Sequence, residues 1–339
     1  MHIDLVSCLM CPEHHQPLSL AVQSGDTTHV VDGGLACPHG HTFAIRDGVP
    51  RFAELPAQRE SVESFGTEWN LFNFTAFKLN WLEHTVRNTF GSPASFRGKV
   101  IVDCGAGSGA QSRWMLESGA DRVVALEMSH SIDGVMRRNL AEFANVDLIQ
   151  CDISRPPFLP DSIGDIVICH NVIQHTRSVA ETARALYRIV RPGGEFVFNC
   201  YGRNSDGLVR RVRFGYYRAL RVVLSSSPEP ILRGYAYLMS RLVGVPAVGR
   251  FLLLSMMAMC GDVPAGPGWS ERRRRQTYLN TYDWYGSHAY QHHLSDDELK
   301  GIAFELQPDG ARIGNLQTYF SRPRPHGIAL RVAKSAHRS

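Results

Sequence analysis

The sequence predicts an α/β fold, doubly wound around a mainly parallel sheet, with a small β ribbon in front and a helical insertion near the end. Three observations predict it. Short, continuously apolar runs alternate with helical periodicity between residues 98 and 201, the pattern of strands covered on both faces by helices. A glycine-rich turn, Asp103-Cys-Gly105-Ala-Gly107-Ser-Gly109, stands where the first of these runs ends and a helix begins. Paired Cys/His spacings, Cys8-Leu-Met-Cys11 and Cys37-Pro-His-Gly-His41, mark the N-terminal segment.

Composition sets the outer bounds. A chain of 339 residues with 44% hydrophobic and 20% charged residues can bury a sizeable core, and is neither disordered, collagenous nor a polytopic membrane protein. Its net charge of +4 is unevenly spread. Residues 1–60 carry three arginines against seven acidic residues, a local charge of −4. Residues 203–275 carry thirteen arginines, no lysine and four acidic residues, a local charge of +9. The longest apolar run, Phe251 to Cys260, is too short to span a bilayer, and the N-terminus lacks the basic start and apolar stretch of a signal peptide. With eight dispersed cysteines, the expected compartment is a reducing cytoplasm, with cysteines used for metal or packing.

The elements follow in order. Residues 1–52 read as the ribbon, and 53–97 as a helical cap or linker carrying Phe65, Trp69, Phe72, Phe77 and Trp81. Residues 98–201 form the α/β core. Strands are expected at Lys99–Asp103, Arg122–Leu126, Val146–Gln150, Asp165–Cys169 and Glu195–Cys200, and helices at Ser112–Ser118, Ile132–Phe143 and Val179–Val190. Residues 202–280 form an Arg-rich helical insertion, 281–325 return to complete the core, and 326–339 are expected to be a flexible tail. Ser295-Asp-Asp-Glu298 is a capping box that should start the last helix.

The chemistry is expected at the carboxyl ends of the strands, where open α/β sheets bind ligands. Glu127 ends the second strand, and a carboxylate there can accept hydrogen bonds from both hydroxyls of a ribose. Asp152 follows the third strand, where it can face an adenine amino group with Ile153 against the ring. The glycine turn alone also fits the loose dinucleotide pattern through Gly105, Gly107 and Ala110, so NAD competes on that motif.

Three further features point elsewhere: the Asp-x-Gly-x-Gly-x-Gly form, the strand end His170-Asn171-Val-Ile-Gln174-His175-Thr176, and the turn Arg191-Pro-Gly193-Gly194. With these, residues 98–201 resemble the Rossmann-like class I S-adenosylmethionine-dependent methyltransferases, especially the branch acting on small molecules and quinone-like acceptors. The resemblance implies that Asp103, Gly105, Gly107 and Gly109 hold the amino-acid part of the cofactor. Glu127, with Met128 beside it, would take the ribose, and Asp152 and Ile153 the adenine. Asn171 would lie near the methionine part, and Trp69, in Ser64-Phe65-Gly66-Thr67-Glu68-Trp69, would cap the pocket. His175, and after it His170, are the candidate general bases, since imidazole titrates near neutrality. Tyr290 and His292 are candidate acceptor contacts. The Asn-Pro-Pro-Tyr signature of exocyclic-amine nucleic-acid methylases is absent.

Cys8, Cys11, Cys37 and His41 can close a tetrahedral Zn²⁺ site, with His39 as the alternate fourth ligand and His14 and His15 ranked below it. The ribbon resembles the zinc domain of ribosomal RNA guanine methyltransferases and the zinc-ribbon activators of transfer-RNA methyltransferases, which implies a structural metal. Its negative charge weighs against RNA docking. Residues 204–261 read as two or three amphipathic helices in which Leu220, Val223, Leu224, Leu238, Leu242, Leu252 and Leu253 alternate with Arg210, Arg211, Arg213, Arg218 and Arg221. A solvated lid is expected first, peripheral contact with an anionic membrane or lipid-linked acceptor second, and RNA third. The expected function is methyl transfer from S-adenosylmethionine to a small-molecule or glycoconjugate/lipid-linked acceptor. The alternatives are an RNA base methyltransferase and a catalytically silent cofactor-binding partner.

Overall fold

The computed structural model describes residues 1–53, 65–67, 69–70, 74–203, 207–260, 263, 266–286, 290–307, 310–314 and 328–336. Ser64, Glu68, Phe72, Asn204 and Gly261 therefore lie outside the described residues.

The N-terminal ribbon is an antiparallel sheet of β1 (Ser19–Gly25), β2 (Val30–Ala36), β3 (Thr42–Arg46) and β4 (Val49–Pro50), in that spatial order. Local chemistry sets its turns. Asp26 Oδ1 accepts the backbone N–H groups of Thr28 and His29, both at 2.7 Å, closing the β1–β2 turn. Asp47 and Gly48 both adopt positive φ (49° and 74°), the tight two-residue hairpin that an Asp-Gly pair favours.

The core sheet takes β5 (Val100–Cys104), β6 (Arg122–Glu127), β7 (Val146–Gln150), β8 (Ile166–Cys169) and β9 (Glu195–Asn199), all parallel. Beyond it, β10 (Tyr201–Gly202) pairs in parallel with β11 (His293–Leu294) in a separate two-stranded sheet. The strands β12 (Ala311–Gly314) and β13 (Ala329–Ala333) complete the large sheet in the order β12-β13-β9-β8-β5-β6-β7. The expected flexible tail is thus corrected: β13 lies inside the sheet, antiparallel to both neighbours, with Leu330 and Val332 fully buried. The Arg331 guanidinium pairs with Glu195 on β9 and so helps fix its register.

Helices Ala110–Glu117, Val179–Ile189 and Asp296–Leu306 follow the expected positions, the second turn of sequence with helical character contributing Val135–Leu140. The strand order reverses at β5, which has β6 on one side and β8 on the other, so the crevice opens at the end of β5 where the glycine turn sits.

The ribbon is welded to the core along the outer edge of β7. Phe52 N–H donates to the Gln150 carbonyl (2.8 Å), Met10 N–H to Pro157 and Leu159 N–H to Cys8. Buried Asp147 accepts from Arg122 and from the His2 backbone. Leu9, Leu35 and Ile45 join Leu126, Ile149 and Phe158 in one hydrophobic core. An otherwise open edge is thereby covered.

The insertion comprises helices Leu208–Ser225, Glu229–Leu242, Pro246–Leu254 and Trp269–Tyr285. It has its own core of Tyr217, Leu224, Leu232, Ala236, Tyr282 and Tyr285. No helix among the described residues is long and apolar enough to cross a membrane.

Candidate active site

The glycine turn joins β5 to the helix Ala110–Glu117 and is tied to the end of β6. Gly105 and Ala106 N–H donate to the Leu126 carbonyl (2.8 and 2.9 Å), and Gly107 N–H donates to Glu127 Oε2 (2.8 Å). Glu127 Oε1 accepts from the N–H groups of Met128 (3.0 Å) and Ser129 (2.8 Å). Three backbone donors therefore hold this buried carboxylate in one orientation. Gly107 has φ 57°, and a Cβ there would stand 2.9 Å from the Trp69 ring. The indole consequently lies directly on the turn.

Asp103 is buried beneath the turn and accepts the Ser112 hydroxyl at 2.6 Å. Burial, reinforced by the charge of Glu127, pushes its carboxyl up to about 6. On the β7 side, Asp152 Oδ1 accepts from Ser154 N–H at 2.8 Å, and Ile153 is buried beside it.

The end of β8 is locked by an amide clamp. Asn171 adopts φ 56°, a conformation asparagine tolerates better than most residues. Its N–H donates to Asn199 Oδ1 (2.7 Å), and Asn199 Nδ2 donates back to Asn171 Oδ1 (2.6 Å). Next to it, Trp81 Nε1–H donates to Gln111 Oε1 (3.2 Å), which leaves Gln111 Nε2 to donate to His170 Nδ1 (3.3 Å). His170 then carries its hydrogen on Nε2, a buried atom without a hydrogen-bond partner among the described residues. Burial drives its pKa down to about 4, so the ring is neutral at pH 7 and a poor general base. The carboxamide of fully buried Gln174 is likewise unmatched at both ends.

His175 is placed differently. It stands between the rings of Phe65 (5.0 Å) and Tyr201 (5.6 Å), with Nδ1 3.2 Å from the Tyr290 carbonyl. A carbonyl only accepts, so in the neutral ring Nδ1 bears the hydrogen and Nε2 the lone pair. From Tyr201 an aromatic series runs into the insertion. Tyr201 stacks on Trp284 at 5.1 Å, its hydroxyl donates to Asp283 at 2.9 Å, and Phe214, Tyr217 and Trp284 surround His293. Burial lowers the His293 pKa to about 4. His292 contacts backbone instead of an open pocket: its N–H donates to the Gln174 carbonyl (2.8 Å) and Nε2 lies 3.0 Å from the Thr176 carbonyl. It straps the chain before β11 to the end of β8, while Tyr290 stacks on it.

In the ribbon, the ligand atoms of Cys11, His14 and His41 all lie within 4.8 Å of one another, and Cys37 Sγ lies 3.4 Å from His14 Nδ1. Cys8 does not join them. Its carbonyl is pinned by Leu159 N–H, and its thiol faces the Ser162 carbonyl at 3.6 Å. The turn that follows, with His15 N–H on the Cys11 carbonyl, brings His14 inward instead. His39 only stacks on His14. The clue in the sequence is the repeated Cys-Pro start, Cys11-Pro-Glu-His14 and Cys37-Pro-His-Gly-His41. The pairing of Asn199 with Asn171, and the positions of Phe65 and Tyr201 around His175, left no signal in spacing.

Residues 102–198 match the family described as Methyltransferase domain. This span carries the glycine turn and the ends of β5, β6, β7 and β8 on a mainly parallel sheet. The ubiquinone biosynthesis O-methyltransferase of Aromatoleum aromaticum is 32% identical over 137 residues, 40% of this chain and 54% of that protein. The demethylmenaquinone methyltransferase of Clavibacter sepedonicus is 31% identical over 148 residues, 43% of this chain and 58% of that protein. The chain thus spans about half the length of the curated relatives it matches. An O-methyltransferase family protein from Burkholderia thailandensis superposes with a TM-score of 0.43 at 12% identity, covering 78% of this chain and 58% of that one.

Proposed function

We propose that this protein is an S-adenosylmethionine-dependent methyltransferase acting on a small-molecule or lipid-linked acceptor. The observation that carries the reading is the meeting, inside the matched span, of the glycine turn with the oriented Glu127 carboxylate at one strand edge. The residues present suit the cofactor: the turn under Trp69 for its amino-acid part, Glu127 and Met128 for the ribose, Asp152 and Ile153 for the adenine. The unmatched His170 and Gln174 add buried polar atoms at the same strand ends.

When bound, the cofactor supplies an electrophilic methyl group. The work of the chain is to align the acceptor and exclude water, which in ideal cases lowers a barrier by about 7–11 kcal/mol. His175 fits the part of general base, with Nδ1–H oriented by Tyr290 and Nε2 receiving the acceptor's proton. Phe65, Tyr201 and Trp284 fit an aromatic wall for a flat or apolar acceptor. The negative ribbon weighs against RNA.

In the ribbon, Cys11, His14 and His41, with the Cys37 thiol 3.4 Å from His14, offer a donor set that would suit structural Zn²⁺.

Calorimetric titration with S-adenosylmethionine tests the reading. The unmodified chain should bind it. Glu127→Ala should lose at least about tenfold in affinity, and His175→Ala should keep affinity while turnover falls roughly 10²–10⁴-fold. Binding of a nicotinamide dinucleotide in place of S-adenosylmethionine would refute the proposal. Equal losses of affinity and turnover in His175→Ala would remove the base.

A further inference from the structure

The insertion presents its apolar residues to solvent. In the helix Leu208–Ser225, Leu208 (77% exposed), Val212 (62%), Tyr216, Ala219 and Val223 (63%) recur on successive turns of one face. The opposite face buries Tyr217 and Leu224 against the insertion's own core. Exposed Arg211 and Arg218 run along the edge of the apolar stripe. The next two helices repeat the theme, exposing Ile231, Tyr237 and Leu238, then Phe251 and Leu254, with Arg241 and Arg250 also exposed. Of the eighteen large exposed hydrophobic residues among those described, thirteen fall between residues 208 and 254.

A solvated lid would turn its aliphatic side chains inward, whereas here aliphatic side chains and arginines face solvent together. Scattered exposed hydrophobics are ordinary, but a concentration of this kind marks a surface that meets something apolar. The surrounding segment carries a local charge of +9. Nucleic acid would answer the charge but offers nothing to a ridge of Leu, Val and Phe, whereas an anionic bilayer answers both.

We propose that the helices spanning residues 208–254 form a peripheral docking surface for an anionic lipid bilayer. The aliphatic stripe enters the headgroup boundary, and the flanking arginines meet lipid phosphates. No spanning segment is required.

Vesicle flotation of the full chain tests this. One set of vesicles is pure phosphatidylcholine and the other contains phosphatidylglycerol. The protein should float with the anionic vesicles and remain behind with the neutral ones. The double variant Val212→Asp/Val223→Asp should reduce the bound fraction at least about tenfold with an unchanged circular dichroism melt. Arg218→Glu/Arg250→Glu should reduce it to a similar degree and flatten its salt dependence. The proposal fails if the chain ignores anionic vesicles, or if the Asp variants bind as well as the unmodified protein. It also fails if light scattering finds a stable dimer that those variants split, or if homopolymeric RNA retains the chain while the vesicles do not.

Discussion

Asp103 and two half-buried histidines give the molecule an unusual response to acid. The Asp103 carboxyl titrates near 6 in the folded chain, above its ordinary 3.8, because burial opposes its charge. Its contribution is therefore favourable below pH 3.8, declines as pH rises, and is fully unfavourable above 6. His170 and His293, each lowered to about 4 from 6.5, act in the opposite sense. Their contribution is complete above pH 6.5 and is lost as pH falls towards 4. The two effects partly cancel across the shared window. Asp103→Asn should accordingly gain about 2–3 kcal/mol of stability at neutral pH, since its amide can still accept the Ser112 hydroxyl. Its stability should then fall more steeply than the unmodified protein's on acidification. Denaturant titrations of both chains over that range check this, and parallel curves would contradict it. The burial of Asp103 was not visible in the sequence, because a motif gives the order of residues and not the dielectric around them.

Elements differ in how openly the sequence declared them. The strands β5, β6 and β8 were legible because each carries a short continuous apolar run buried on both faces. The last core helix was equally legible, because Ser295 and Glu298 complete the expected reciprocal cap: the Ser295 hydroxyl accepts the Glu298 N–H, and Glu298 accepts the Ser295 N–H. Ser295→Ala should cost roughly 1 kcal/mol in an equilibrium unfolding measurement. β13 was hidden, since Ala-Leu-Arg-Val-Ala is too short to show a period and gains its identity only by pairing with β9. The insertion's helical periodicity was plain, but which face looked outward was not: apolar spacing is the same whether a stripe meets a core or an interface. The functional strand ends divide similarly. Glu127 and the glycine turn follow a local motif, while the Asn171–Asn199 clamp joins residues far apart in the chain.

At the scale of the whole molecule, ribbon and core act as one body, because their hydrophobic residues interleave along β7. Metal content separates the two readings of the Cys/His spacing. Purified Cys8→Ala should retain stoichiometric zinc by atomic emission, whereas His14→Ala should lose most of it and melt at lower temperature. Retention in both variants would restore His39 as the fourth ligand, and loss in Cys8→Ala with retention in His14→Ala would restore Cys8. The interior position of β13 also bears on how the chain is made. β9 gains its outer neighbour, and β12 its link to the rest of the sheet, only after residue 333 has left the ribosome. Until then a nascent chain carries a bare β9 margin, so a premature stop shortly before residue 329 should yield aggregates in place of a smaller folded protein.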